Sequence, residues 1–216
     1  MTLKSDLGSY RKTYTKNNNF NLENFDNPLS LFNKWFKEFD NDITDSEVNA
    51  MTLSTVGIDR FPKNRIVLLK EFDEKGFTFY TNYNSEKGLS ISKNNKVCLS
   101  FFWEEHERQV IIKGYAKKIS DLKSNKYFNS RPRGSQLGAI VSNQSAVIDS
   151  KKELEENLIN LESKYRNKSI PKPTNWGGYI VSPVEYEFWQ GGENRLHDRA
   201  RFLYNDNHWA IDRLSP

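Results

Sequence analysis

Residues 176–201 read WGGYIVSPVEYEFWQGGENRLHDRAR, and the pattern in this stretch decides the fold. Its first half alternates. Val184, Tyr186 and Phe188 fall on one face of an extended chain, and Glu185, Glu187 and Trp189 on the other, the period of a half-buried strand. Gly191-Gly192 then breaks the strand, because glycine takes the backbone angles a turn demands. After the turn comes Arg-Leu-His-Asp-Arg. In extended form this run sends Arg195, His197 and Arg199 to one side and Leu196 and Asp198 to the other. Three groups that are or can become cationic repel one another unless an anion sits among them. Phosphate is the best small candidate, bound by guanidinium groups through paired, charge-assisted hydrogen bonds. Trp189 and the two glycines add a flat apolar surface and open backbone, so the pattern points to a planar, aromatic, phosphorylated ligand. A surface hairpin with solvated charges is the alternative that the Arg-x-His-x-Arg run alone leaves open.

Upstream, the same period of two recurs in Met51–Val56, Arg65–Phe72, Phe77–Tyr83, Lys96–Trp103 and Arg108–Ile119. Turn residues such as Asp59-Arg60 and Asp73–Gly76 separate these runs. Short gaps imply antiparallel hairpins, and many strands without βαβ spacing imply a barrel. Downstream, Arg199–Tyr204 and Trp209–Arg213 read as final strands. Helices flank the series. One starts at Asn27 with Pro28 in its first position and a stripe of Leu29, Phe32, Phe36 and Phe39. A short one covers Ser85–Ser92, and residues 120–166 turn helical, with Ser120 as a cap, a capping box at Ser150–Glu153, and a stripe of Leu154, Leu158, Leu161 and Tyr165. The fold class expected is mainly β with flanking helices (α+β). Residues 1–25 are polar and read as a mobile N-terminal arm, and residues 26–216 as a single domain.

The 216 residues suffice for a sizeable core, with 13% aromatics to fill it. A net charge of +4 is mild. It fits a protein gripping phosphorylated small molecules, and no arginine-rich tract or nucleic-acid motif is present. One cysteine, Cys98, rules out an intramolecular disulfide. No run approaches ~18 consecutive apolar residues, and no signal-peptide core opens the chain, so a cytoplasmic protein with no membrane partner is expected. His106, His197 and His208 never reach metal-ligand spacing, so no metal is expected. Neither a Gly-x-Gly-x-x-Gly nor a Walker loop occurs, against a nicotinamide site or nucleotide hydrolysis.

Four further constellations carry chemistry. Arg65-Ile66-Val67-Leu68-Leu69-Lys70 brackets an apolar run with two cations, as in a strand buried on both faces with charges at a rim. Tyr80-Thr81 ends the next strand, and Lys87 lies near a helix start, where backbone N–H groups favour phosphate. Gln109, Gln144 and Ser145 are neutral hydrogen-bonding groups suited to the edge of a heteroaromatic ring. Tyr127, Arg131 and Ser135 come at four-residue intervals, with Pro132 implying a break between them. An aromatic, a guanidinium and a hydroxyl together suit a phosphate ester.

The run EFWQGGENRLHDR resembles the C-terminal signature of the pyridoxamine 5'-phosphate oxidase family, and RIVLLK, FYTN, ERQV, YFNSRPRGSQLGA, SNQS and IDRLSP follow the family's order along the chain. The resemblance implies an antiparallel FMN-binding split β-barrel, and a homodimer with FMN at the subunit interface. It implies oxidation of pyridoxamine or pyridoxine 5'-phosphate by O2 to pyridoxal 5'-phosphate and hydrogen peroxide. It assigns Arg65, Ile66, Val67, Leu68, Lys70, Tyr80, Thr81, Lys87, Gln109, Gln144, Ser145, Trp189 and Arg199 to the cofactor. Arg11, Tyr14, Lys70, Tyr127, Arg131, Ser135, Arg195 and His197 fall to the substrate, with Arg195 and His197 catalytic in the sense of positioning it. The N-terminal arm would close as a lid. One departure stands out: Glu86 occupies a position that is commonly basic in the family, and a carboxylate there either turns away from the phosphate or weakens its binding. A different split-barrel flavin reductase, or a non-catalytic FMN or pyridoxal-phosphate binder, is the rival reading.

Overall fold

The computed structural model describes residues 7–16, 25–42 and 46–216. The Asn17–Asn19 run and much of the expected arm lie outside the described residues. The chain gathers into two compact units, a larger one of residues 49–100 and 112–184 and a smaller one of residues 1–48, 101–111 and 185–216.

In the larger unit, β1 (Ala50–Val56), β2 (Pro62–Leu68), β3 (Glu71–Asp73) and β4 (Gly76–Asn82) are joined by residues of β5 (Lys96–Trp103), β6 (Arg108–Lys118) and β7 (Trp176–Gln190). Their order is β2-β1-β5-β6-β7-β4-β3. The pairings of β1 with β2 and β3 with β4 are antiparallel, as their short gaps require, and so are those of β1 with β5 and β4 with β7. Alternation decides what is buried: Met51, Leu53 and Thr55 of β1 point inward, and Phe77, Phe79, Leu99 and Val181 complete the core.

The sequence pattern of Arg65–Phe72 predicts one strand, whereas the structure has two. After Leu68 the backbone changes partners: Leu69 donates to the Asn49 carbonyl at 2.8 Å and Lys70 to the Thr78 carbonyl at 2.8 Å, and β3 begins. Nor is the apolar run buried on both faces. Ile66 is 65% exposed and Val67 and Leu68 are half-buried, while Leu69 is buried.

Helices α2 (Glu86–Lys93), α3 (Asp121–Ser130), α4 (Arg133–Val141) and α5 (Lys151–Lys164) flank this sheet. Serines cap three of them: Ser85, Ser120 and Ser150 accept from the N–H groups of Gly88, Lys123 and Glu153. Pro132 separates α3 from α4 as expected, since it lacks the N–H a continuous helix needs. From α5, Leu158, Leu161 and Tyr165 pack on Phe128, Leu137, Ile170 and Trp176.

The smaller unit holds α1 (Pro28–Asp42), β8 (Asp198–Asn205) and β9 (His208–Leu214). The C-terminal part of β7 pairs with β8, setting Tyr186 opposite Phe202 and Trp189 opposite Arg199, and β8 pairs with β9. In α1 the buried stripe is Leu31, Phe32, Trp35 and Phe39, while Leu29 and Phe36 are half-buried. The helix is thus rotated from the expected stripe. Trp35 claims the interior by packing edge-on against Phe188 at 5.3 Å, with the Arg108 guanidinium 4.6 Å from its ring.

Among the described residues no helix is long and apolar enough to cross a membrane. No group of three or more His, Cys, Asp or Glu residues among them could hold a metal ion.

Candidate active site

A cavity of about 750 Å³ opens in the larger unit. One wall is β2 and its C-terminal continuation, bringing Arg65, Ile66, Val67, Leu68 and Lys70; a second is the end of β4, with Tyr80, Thr81 and Asn82. Lys87 enters from the first turn of α2, and α3, α4 and the loop beyond them bring Tyr127, Arg131, Ser135 and Gln144. Segments far apart in sequence thus converge on one space.

Arg65 and Lys87 supply positive charge to the lining. Arg65 Nη1 donates to Thr55 Oγ1 at 2.7 Å and to the Leu53 carbonyl at 3.1 Å, which holds the guanidinium in place. Lys87 is buried and, among the described residues, reaches neutral acceptors, Gln144 Oε1 at 3.2 Å and Ser85 Oγ at 3.5 Å. Burial, then the Arg65 charge, holds the Lys87 ammonium below its ordinary pKa, while Glu86 opposes the shift. Burial likewise lowers Arg65, again against Glu86. Gln144 Oε1 also accepts from Thr81 Oγ1 at 3.1 Å, so one amide oxygen ties strand to helix. Glu86, the departure from the family pattern, is absent from the lining and pairs with Lys63.

The lining also holds a ring stack. Tyr80 and Tyr127 lie 3.9 Å apart at 22°, with Trp176 beyond Tyr80 at 5.5 Å. The Arg131 guanidinium lies 4.8 Å from the Trp176 ring, and its buried Nη1 has no hydrogen-bond partner among the described residues. A buried donor without an acceptor is costly, and this one is poised for an anion. Burial raises the Tyr80 hydroxyl to about 12, helped by the Glu71 charge, and raises Tyr127 against the pull of Arg131. Both phenols are therefore neutral donors.

The pattern reading missed Asn82, Pro132, Gly138, Ala139, Ser142 and Trp176 as lining residues. Trp176 opens the decisive stretch, and its place beside Tyr80 follows from the β4–β7 register, in which Asn82 faces Trp176. The small residues Gly138 and Ala139 carry no chemical signal. Ser145 is not among the lining residues and sits at φ +73°.

The remaining sequence-predicted residues belong to the smaller unit. Tyr14 packs edge-on against Trp189 at 5.5 Å and against His197 at 5.6 Å, and Trp189 lies 4.8 Å from His197. The Gly192 N–H donates to His197 Nδ1 at 3.1 Å, which leaves Nε2 as the hydrogen-bearing nitrogen of the neutral ring. Burial, then Arg195 and Arg199, pushes this imidazole below its ordinary pKa.

The run after the double glycine is not extended throughout. Glu193–Arg195 forms a short 3-10 turn, with Asn194 at φ +53° and Arg195 at φ +64°, so the alternation holds only from His197 onward. Arg195 is exposed and has no ion pair among the described residues. Arg199 is engaged, with Nε and Nη2 on Glu187 Oε1 and Nη1 on the Ser215 carbonyl. Gln109 is half-buried on β6, and Arg11 is exposed.

Comparison with known proteins matches two family models. Residues 39–162 fit the pyridoxamine 5'-phosphate oxidase model, and residues 176–216 fit the pyridoxine 5'-phosphate oxidase C-terminal dimerisation region. A pyridoxine/pyridoxamine 5'-phosphate oxidase of Flavobacterium johnsoniae is 58% identical, over 98% of this chain and 99% of the relative. Its counterpart in Christiangramia forsetii is 52% identical, over 99% of this chain and 100% of the relative. Among solved structures, PhzG from Burkholderia lata, in complex with tetrahydrophenazine-1-carboxylic acid, superposes with a TM-score of 0.84 at 25% identity, covering 90% of this chain and 95% of that one. A pyridoxamine 5'-phosphate oxidase-related, FMN-binding protein from Nostoc punctiforme has a TM-score of 0.69 at 14% identity, over 88% and 98%. The fold is the antiparallel split barrel of these proteins. By the extent of both family models and the identity of its full-length relatives, the chain belongs to the pyridoxamine 5'-phosphate oxidase family.

Proposed function

We propose that this chain is an FMN-dependent oxidase that converts pyridoxamine 5'-phosphate or pyridoxine 5'-phosphate to pyridoxal 5'-phosphate. The observation that carries the reading is the division of charge in the cavity. Arg65 and Lys87 act on each other electrostatically without a carboxylate on the lining, while Arg131, coupled to Tyr127, holds a buried donor with no partner among the described residues. Two such cationic groups suit two phosphate esters, one on a cofactor and one on a substrate. Rings and neutral amides on the same lining suit the faces and edges of flat heterocycles. The residues therefore fit FMN.

When bound, the flavin supplies the redox chemistry, in which the amine substrate, O2 and water yield the aldehyde, ammonia and peroxide, and the alcohol substrate and O2 yield the aldehyde and peroxide. The chain supplies position and charge. Arg65 and Lys87 hold the cofactor phosphate, with Tyr80, Thr81, Gln144 and Ser145 as hydrogen-bonding neighbours. The backbone of Ile66, Val67 and Leu68 lines the ring's place, and Lys70 reaches both ligands. Gln109, Trp189 and Arg199 complete the cofactor set. Tyr127, Arg131 and Ser135 take the substrate phosphate as neutral donors flanking one fixed cation. Arg195 and His197 orient the reacting end of the substrate, and His197 offers Nε2–H because Nδ1 is already occupied. Arg11 and Tyr14 cover it from the N-terminal arm, which acts as a lid. The matched C-terminal dimerisation region supports a homodimer, with FMN at the interface between subunits.

The test is direct. Purified protein reconstituted with FMN should turn yellow, lose that colour anaerobically with pyridoxamine 5'-phosphate, and release one peroxide per aldehyde in air. Flavin binding without peroxide would favour a non-catalytic binder. Reduction of the flavin only by a nicotinamide would favour a reductase.

A further inference from the structure

Glu107 sits at the junction of β6 with the short 3-10 turn Glu104–His106, in a left-handed conformation at φ +54°. It is buried to 2% exposure. Its carboxylate meets no basic side chain among the described residues. Instead Oε2 accepts from two consecutive backbone groups of the N-terminal arm, the Thr15 N–H at 2.9 Å and the Lys16 N–H at 2.9 Å. The Glu107 carbonyl accepts from the Gly191 N–H at 2.7 Å, so one residue fastens both the arm and the turn that precedes Arg195 and His197.

Gly191 adds an independent mark of the same arrangement. A Cβ placed there would lie 2.9 Å from Tyr14 Cγ and 3.0 Å from Glu107 Cβ. Tyr14, Glu107 and Gly191 therefore fit against one another only because position 191 has no side chain. Gln190 reinforces the junction, its amide donating to the Glu107 and His106 carbonyls.

We propose that Glu107 is a positioning residue, whose buried carboxylate clamps the arm backbone at Thr15 and Lys16 and so sets the Tyr14 ring against Trp189 and His197. The clamp acts on main-chain N–H groups, so it holds the arm in register whatever side chains residues 15 and 16 carry. Its effect on catalysis rests on the reading that Tyr14 and His197 touch substrate. Its effect on the arm does not.

Amide hydrogen exchange on the FMN-loaded enzyme, followed by mass spectrometry, separates the two. In Glu107→Ala, exchange at Thr15 and Lys16 should speed up by about tenfold or more, the loss expected for charge-assisted bonds, with β8 and β9 unchanged. Glu107→Gln keeps a neutral acceptor oxygen and should give about threefold faster exchange, the weaker loss expected for an uncharged acceptor. If Glu107→Ala does not fold, Glu107→Gln carries the test alone. Unchanged exchange at Thr15 and Lys16 in the folded variant overturns the clamp.

With pyridoxamine 5'-phosphate, KM should rise about tenfold in Glu107→Ala, with kcat within about twofold and flavin affinity unaltered. Faster exchange with an unchanged KM overturns the positioning role. An enzyme that makes no peroxide from this substrate fails the functional reading, while exchange still decides whether the arm is clamped.

Discussion

Lys63 Nζ, on β2, pairs with Glu86 Oε2, on the first turn of α2, and this contact disposes of the carboxylate that the family pattern would have made basic. Glu86 is not idle electrostatically, because it opposes the burial shifts of both Arg65 and Lys87. It balances three cations before any phosphate arrives, and competes with that phosphate afterwards. Glu86→Gln should therefore tighten FMN and slightly destabilise the unloaded protein. The pair is exposed, so each effect is worth less than about 1 kcal/mol, or up to about fivefold in Kd, shrinking as salt is added. Quenching of flavin fluorescence at two ionic strengths measures it, and equal or weaker binding would remove this account of Glu86.

Arg131 should act on substrate alone. Its buried Nη1 lacks an acceptor among the described residues, and its guanidinium lies against the Trp176 ring. Arg131→Ala is expected to raise KM for phosphorylated substrate by roughly ten- to a hundredfold, from about 1.5–3 kcal/mol for a charged hydrogen bond. The protein should still purify yellow. An absorption spectrum and steady-state peroxide production check both halves.

Arg195 is exposed and unpaired among the described residues, in contrast to Arg199, whose guanidinium is held by Glu187 and Ser215. Arg195→Ala should raise KM and lower turnover with the flavin retained. Arg199→Ala should loosen the β7–β8 pairing as well and lower the thermal midpoint. A flavin-free Arg195→Ala with normal substrate affinity would reverse the assignment.

His197 sets a pH dependence. Its folded pKa lies below the ordinary 6.5, so between the two values the unfolded chain binds more protons. The group's contribution to stability is therefore complete above pH 6.5 and is lost as pH falls from there toward the folded value. Protonation at Nδ1 also breaks the bond from the Gly192 N–H. KM should climb as the solution is acidified below pH 6.5, through the folded value. Substrate phosphate titrates near there too, with a pKa of about 6, so the His197→Asn profile is the control. Identical profiles would show that His197 plays no part.

Pattern reading reached the strands because burial follows a period of two, and it singled out Arg65 by its charge beside an apolar run, Lys87 by its place near a helix start and Arg131 by its spacing from Tyr127 and Ser135. Other features lay beyond it. The rotation of α1 depends on which ring Phe188 accepts, and Trp35 rather than Phe36 meets it. The left-handed turn at Asn194 and Arg195 broke an alternation that looked extended. Arg65–Phe72 became two strands because Leu69 and Lys70 find carbonyl partners on different segments, Asn49 and Thr78. Trp176 joins the cavity through a register that no local window contains.

The edge of β2 that pairs with no strand among the described residues has a practical consequence. Such a margin invites another β-strand to add itself to it. Protein stripped of its yellow colour during purification should therefore turn cloudy sooner than the coloured fraction, and resupplying riboflavin phosphate early in handling should keep it clear.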